Sequence, residues 1–445
     1  MAEAAGGPEE GEHSQEAEVS PALIAVHPLE KSVVVAIGSE LRVFDLEGDK
    51  AISLLDNSGG PPHSGDVKAV AFGAEGNLFA SAGNDKLVKV WATDSWSCIR
   101  SVCSEKRLSA VAISHDGHFV LFADKFGVIW IFSLDVGDDN ASAEEKAVPL
   151  LGHYCSIITS LKFSPDGQFI ASADRDFKIR VTVFPKRPLK GAHEIQSFCL
   201  GHTDFVSCLA FICAQDSGQA FLLSGSGDST VCLWNFLTGC LLDTCEVGLK
   251  AGVLGPDREE QNQNTAAVTD LCAAPDGSLI AAIVQGLHGV VLMRCNFPGK
   301  SLNLARVVVV GNAFVPTSLG TSSAGERLWM AMGASDRSSR SPAAALTRLR
   351  VVEVLGAAAA GARVLEDGEV PGGRRLLGGL QGRPEVAGEE EELLAAAAEV
   401  AAAAVRDLLV KRQYSVENRE LRKRSRNDRK QKQEQQHQRG RDLHC

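Results

Sequence analysis

Along most of the chain, apolar and polar residues alternate at period two in short runs broken by Gly, Asp, Ser and Pro, the signature of half-buried strands rather than helices. The runs recur. One copy, GDVKAVAFGAEGNLFASAGNDKLVKVWAT, occupies 65–93; others occupy 108–134 (LSAVAISHDGHFVLFADKFGVIWIFSL), 152–184 (GHYCSIITSLKFSPDGQFIASADRDFKIRVTVF) and 201–236 (GHTDFVSCLAFICAQDSGQAFLLSGSGDSTVCLWNF). Each begins with a V-x-x-L-A-F-like strand, passes through a turn such as Ser164-Pro165-Asp166-Gly167, continues in a second strand and an Asp-containing turn, and closes with a third strand that tends to end in an aromatic. That is three strands of a four-stranded blade. Weaker copies at 22–46 and 267–295 extend the array, and a degenerate one covers about 313–355. Six copies are readable; a closing seventh is inferred, because an open ring would leave two unpaired sheet edges.

The rhythm breaks in three places. The polar stretch 249–265 (LKAGVLGPDREEQNQNT) reads as an exposed loop between blades, and 335–341 as a shorter one. From 356 the composition turns to Ala, Gly and Glu, so the expected organisation is an acidic, unstructured 1–20, a blade array over 21–355, an Ala/Gly-rich linker over 356–388, a helix over 389–412 and a basic, unstructured 413–445.

Charge sharpens this picture. The chain of 445 residues has a formal net charge of −11, which argues against a generic nucleic-acid binder. The first 20 residues carry six acidic side chains and no Lys or Arg, whereas 411–441 carries twelve Lys/Arg against four Asp/Glu. An acidic body therefore precedes a basic tail, which includes Arg422, Lys423, Arg424, Arg426, Arg429 and Lys430. Such a run serves nuclear targeting or sequence-independent phosphate contact, and the lack of aromatics beyond Tyr414 argues against base stacking. No apolar run is long enough for a membrane span, and the N-terminus lacks the basic-then-apolar pattern of a secretory signal, so a nuclear or cytoplasmic protein is expected, the nucleus first. The twelve cysteines are scattered without a C-x-x-C pair and read as reduced thiols packed in strands.

The strongest motif is Gly201-His202, followed by Asp228 and Trp234, with Ser224 or Ser226 able to complete a hydrogen-bonded set. This spacing identifies WD repeats. The fold class is all-β: a seven-bladed WD-repeat β-propeller with a helical and unstructured basic C-terminal extension. A buried His-Asp-Ser set can mimic a hydrolase triad, but inside a repeat its role is structural. The copy at 152–184 has Gly152-His153 but Thr182 in the aromatic position, and the copy ending in Trp91 has His63 without the Gly-His pair. There is no H-E-x-x-H, no G-x-x-x-x-G-K-[ST] loop and no G-x-S-x-G elbow, so neither a catalytic residue nor a metal or cofactor is expected.

One stretch is unusual. Asp174, Arg175, Asp176, Lys178 and Arg180 put five ionised side chains into seven residues, where a blade turn ordinarily has one Asp. Composition alone favours a solvated turn with weak local ion pairs. Alternation suggests that Lys178 and Arg180 share one face of a strand. The run S-A-D-R-D-x-K-I-R-V, with S-F-C-L-G-H-T-D-F-V-S after it, resembles the WD-repeat subunit of the tRNA guanine-N7 methyltransferase, a likeness tightest over 164–207; 418–428 (NRELRKRSRND) resembles the tails of plant-like members.

That resemblance implies a non-catalytic scaffold. Its catalytic partner would hold the methyl donor and methylate a guanine in the tRNA variable loop, while this chain stabilises and orients it in a heterodimer that meets tRNA mainly through the complex. Asp174, Arg175, Asp176, Lys178 and Arg180 would face that partner, with Lys178 and Arg180 pairing with its carboxylates. Two other readings remain open at this point: a generic WD-repeat adaptor, such as a ubiquitin-ligase or chromatin scaffold, and an enzyme with a cryptic site.

Overall fold

Each repeat folds into a four-stranded antiparallel meander, and there are seven of them, at 23–52, 67–103, 108–152, 158–199, 206–245, 268–309 and 315–364, numbered here as blades 1 to 7. The computed structural model describes residues 22–54, 56, 61–135, 146–153, 156–214, 218–254, 266–310, 315–335, 345–354 and 361–380. The expected helix at 389–412, the basic tail with Arg422, Lys423, Arg424, Arg426, Arg429 and Lys430, and most of the two interrupting loops lie outside these residues.

The first strands of successive blades pack against one another around a closed ring, blade 7 against blade 1 included. Burial follows from this arrangement. Among the described residues the buried apolar side chains fall into seven clusters, and each joins one pair of neighbouring blades. A blade therefore has no core of its own; its two faces are buried only by its neighbours, the physical reason that such repeats exist as rings.

A recurrent side chain ties the ring together. Thr159 Oγ1 donates to Val206 O at 2.5 Å between blades 4 and 5, Ser207 Oγ to Val268 O at 2.6 Å between blades 5 and 6, and Thr317 Oγ1 to Ala22 O at 2.7 Å between blades 7 and 1. Between blades 6 and 7 the Asp270 carboxylate accepts Leu319 N–H at 2.8 Å, and burial pushes this carboxyl above its ordinary range.

Blade 1 takes all its strands from the N-terminal side of the chain and blade 7 all of its own from the C-terminal side, so no strand is exchanged at closure. Extra contacts hold that seam. Glu30 accepts both Trp329 Nε1–H (2.8 Å) and Arg327 Nη1–H (3.0 Å), and a helix at Gly373–Leu380 buries Leu376, Leu377 and Leu380 against Phe44 and the blade 7 strands. Gly372, at φ 77°, enters this helix where a Cβ would sit 2.8 Å from the Phe44 ring.

The array was expected to end near 355, with a linker after it. The last blade takes its fourth strand from Arg363–Val364, and 365–380 covers the seam. An Ala/Gly-rich composition hides such elements, because two ladder residues and three leucines carry the contact.

The ten described cysteines are free thiols. Burial pushes Cys199 and Cys208 up to about 12, so both are neutral packing groups. No described helix is long and apolar enough to cross a membrane.

Candidate partner-binding face and the repeat network

In blade 5, His202 Nδ1 lies 2.9 Å from Asp228 Oδ2 and Nε2 lies 2.7 Å from Ser224 Oγ, which also accepts Trp234 Nε1–H at 2.7 Å. Ser224, not Ser226, is the network serine. Asp228 further accepts the backbone N–H of Thr203 and of Thr230, binding the loop that enters the blade to the turn between its second and third strands. Burial opposes charge on both partners, but their mutual hydrogen bond outweighs it, helped by Cys232 at His202 and by the Thr230 hydroxyl at Asp228: His202 is raised to about 9 and Asp228 lowered to about 2. The set is enclosed by packing, with Trp234 fully buried. It joins strands and performs no chemistry that the geometry can support.

Blade 2 holds a second complete network. His63 contacts Asp85 and Ser81 at 2.8 Å each, and Trp91 Nε1 donates to Ser81 at 3.2 Å. The missing Gly-His pair concealed it, yet the Asp-to-Trp spacing of six residues was the signal, identical in Asp85/Trp91 and Asp228/Trp234. In blade 3, which has no such His, Trp130 Nε1 donates to Asp124 at 2.9 Å instead.

Blade 4 departs from this plan at the charged cluster. His153 takes its carboxylate from Asp174 (2.9 Å) and its hydroxyl from Ser172 (2.8 Å). The strand register aligns Asp174 with Gly83 and Ser226, two positions before the network Asp85 and Asp228; the residue in their place is Asp176. Asp174 is 2% exposed and also accepts N–H from Asp176 and Lys178. Its carboxylate is committed inside the blade, which corrects the expectation that it faces a partner.

Arg180 is held between two strands. It is half-buried, its Nε donating to Thr182 Oγ1 at 3.1 Å and its Nη1 to Gly152 O at 3.2 Å, and burial lowers its pKa. It ties blade 4 to the last strand of blade 3. Lys178 is exposed and precedes the strand Ile179–Val183, so the alternation argument that paired it with Arg180 does not reach it. Arg175 and Asp176 are partly exposed, Arg175 anchored through its N–H to Ile157 O at 2.9 Å. The five residues thus split: Asp174 is committed inside the blade, Lys178 is exposed, and Arg175, Asp176 and Arg180 are each partly exposed.

The sequence reading missed what lies between them. Phe177 is 43% exposed and sits at φ 70°, the left-handed position of the turn. Neighbouring turns and loops share its edge of the ring, where Lys106 lies over the exposed Phe126 ring at 5.3 Å from its centroid and Arg107 and Lys86 are also exposed. No group of His, Cys, Asp and Glu able to hold a metal ion occurs among the described residues.

This ring of blades with His-Ser-Trp networks is a WD-repeat β-propeller. Residues 60–92 match the WD domain, G-beta repeat, and residues 138–347 match the tRNA methyltransferase TRM82 WD40 domain. This second match covers a little under half of the chain. Among its relatives, the tRNA (guanine-N(7)-)-methyltransferase non-catalytic subunit wdr4 of Dictyostelium discoideum is 31% identical over 244 residues, 52% of this chain and 50% of that protein. The Xenopus laevis protein of the same name is 32% identical over 286 residues (62% and 66%), and the Homo sapiens one 33% over 198 residues (44% of each). The matches span from 44% to 66% of these relatives' own lengths. Two solved propellers, a structure of U3-55K (TM-score 0.57, 20% identity, 73% of this chain and 91% of that one) and a chain of the Mitotic Checkpoint Complex (0.54, 16%, 74% and 95%), share the fold.

Proposed function

We propose that this chain is the non-catalytic scaffold subunit of a tRNA guanine-N7 methyltransferase, holding and orienting a catalytic subunit that methylates a guanine in the tRNA variable loop. The observation that carries the proposal is the blade 4 turn. Its internal His-carboxylate pair is moved two residues back, which leaves Arg175, Asp176 and Lys178 as a charged surface built on a rigid blade. Such a surface gives a partner register and orientation more than raw affinity. The relatives named as non-catalytic subunits support the same role. In this reading the chain works in the nucleus, in a heterodimer that meets tRNA mainly through the complex.

The test is a pull-down with the intact chain and with Lys178→Glu, followed by tRNA methylation on the recovered material. The intact chain is expected to bring down a methyltransferase that modifies tRNA guanine, and the variant to lose most of it. Equal recovery by both would remove Lys178 from the interface. Recovery of partners without methylation would favour a general WD-repeat adaptor, and methyl transfer by the purified chain alone would overturn the scaffold role.

A further inference from the structure

The turn between second and third strands has a left-handed residue in six blades, and in blades 2 to 5 it falls at the equivalent position: Lys86 (φ 69°), Gly127 (φ 87°), Phe177 (φ 70°) and Ser229 (φ 69°). In blade 3 it must be glycine, since a Cβ would lie 2.3 Å from Ser156 O. In blade 4 the same position carries a phenylalanine, the bulkiest of the four, in a conformation that costs a bulky residue free energy and that glycine would adopt without strain. Nothing on the inside of the fold accounts for it, because Phe177 belongs to none of the buried clusters and is among the exposed large apolar residues.

A second exposed aromatic lies on the neighbouring turn. Phe126 is 59% exposed, one residue before Gly127, and the loop that contacts Gly127 through Ser156 O also accepts Asp176 N–H through Ser156 Oγ at 3.2 Å. The turns of blades 3 and 4 therefore meet at one loop. Lys106 lies over the Phe126 ring, Glu105 and Arg107 are exposed on either side of Lys106 in sequence, and Phe177 stands between half-buried Asp176 and exposed Lys178, on a chain whose formal net charge is −11. Local positive charge on an acidic body selects a negative partner. The two carboxylates beside the rings disfavour polyphosphate and suit a protein surface of mixed charge.

We propose that Phe177 and Phe126 form an apolar anchor that receives an apolar side chain from an acidic segment of the partner subunit, between flanking Lys106, Arg107 and Lys178. This rests on the function proposed above and adds to it a site that desolvates the charge pairs around it, the arrangement of a central hot spot with a polar rim. Exposed charges alone contribute little; water exclusion by the rings strengthens them.

The experiment measures the affinity of the full-length chain for its methyltransferase subunit, and its melting temperature alone, for the intact protein, Phe177→Gly, Phe177→Asn and Lys178→Glu. An anchor that is strained in the free chain predicts effects of opposite sign: both Phe177 variants lose about tenfold or more in affinity, while Phe177→Gly melts about 1–2 °C higher. Unchanged affinity in the Phe177 variants beside a loss in Lys178→Glu would overturn the anchor and leave the scaffold reading standing. A fall in melting temperature matched by the fall in affinity would make Phe177 a structural residue and overturn it too. Loss of tRNA retention by Phe177→Gly in the absence of the partner would assign the rings to nucleic acid instead. If the intact chain binds no methyltransferase subunit, the scaffold reading fails and the anchor with it.

Discussion

Blades 4 and 5 are neighbours built from the same repeat, and they spend their polar residues differently. Blade 5 turns all of its network inward: His202, Asp228, Ser224 and Trp234 satisfy one another, and Trp234 fills the junction with blade 4. Blade 4 keeps the His and Ser but draws its carboxylate from Asp174 and replaces the tryptophan by Thr182, a smaller group that accepts a hydrogen bond from Arg180. The first arrangement maximises stability. The second gives up aromatic packing and obtains a turn whose outer residues are available to another molecule.

The difference can be broken at its centre. Trp234→Ala is expected to destabilise the propeller by about 3–5 kcal/mol, through lost burial and an emptied junction, whereas Thr182→Ala should cost about 1 kcal/mol; urea unfolding of both variants decides, and equal losses would contradict the contrast. Ser224→Ala leaves both Trp234 Nε1 and His202 Nε2 without their partner and should cost about 2 kcal/mol. Ser172→Ala removes the partner of His153 and a long 3.4 Å bond to Arg180 O, and should cost about half as much by the same argument.

The pH profile offers a subtler separation. His202 is raised from 6.5 to about 9, so its contribution is complete below about 6.5 and is lost as pH climbs toward 9. Asp228 is lowered from 3.8 to about 2, so its contribution is present above about 3.8 and is lost as pH falls toward 2. Melting temperature should therefore decline on both sides of a plateau from about 4 to 6.5, and His202→Asn should flatten the alkaline limb. An alkaline limb unchanged in that variant would place the titration elsewhere. Lys178→Glu should produce the smallest change in stability, within about 0.5 kcal/mol, while having its effect on the partner.

Much of this was legible in the chain. Strand alternation and the 201–236 repeat fixed the blade plan, because period two and turn chemistry are local properties that burial between blades then rewards. His202, Asp228 and Trp234 were found together for the same reason. The cluster in blade 4 was found as a composition but misread as a unit. Which of Asp174 and Asp176 caps His153 depends on the turn's register, and Arg180 reaches Gly152 O of the adjoining blade, a contact 28 residues away in sequence. Phe177 escaped notice because a single apolar residue in a charged run has no periodicity; only its backbone angle marks it. The seam helix escaped because its environment is supplied by Phe44, in the first blade and more than 300 residues earlier in sequence.

Closure without strand exchange has a consequence for how the ring assembles. Every sheet is complete within its own stretch of chain, so blades can form in the order of synthesis, each docking on its predecessor. The one long-range event is the meeting of blade 7 and the helix at Gly373–Leu380 with blade 1, whose entropic cost of loop closure is not offset until Glu30, Thr317 and the leucines engage. The seam is thus the last part of the molecule to form and the first to let amide protons exchange, a latch rather than a weld.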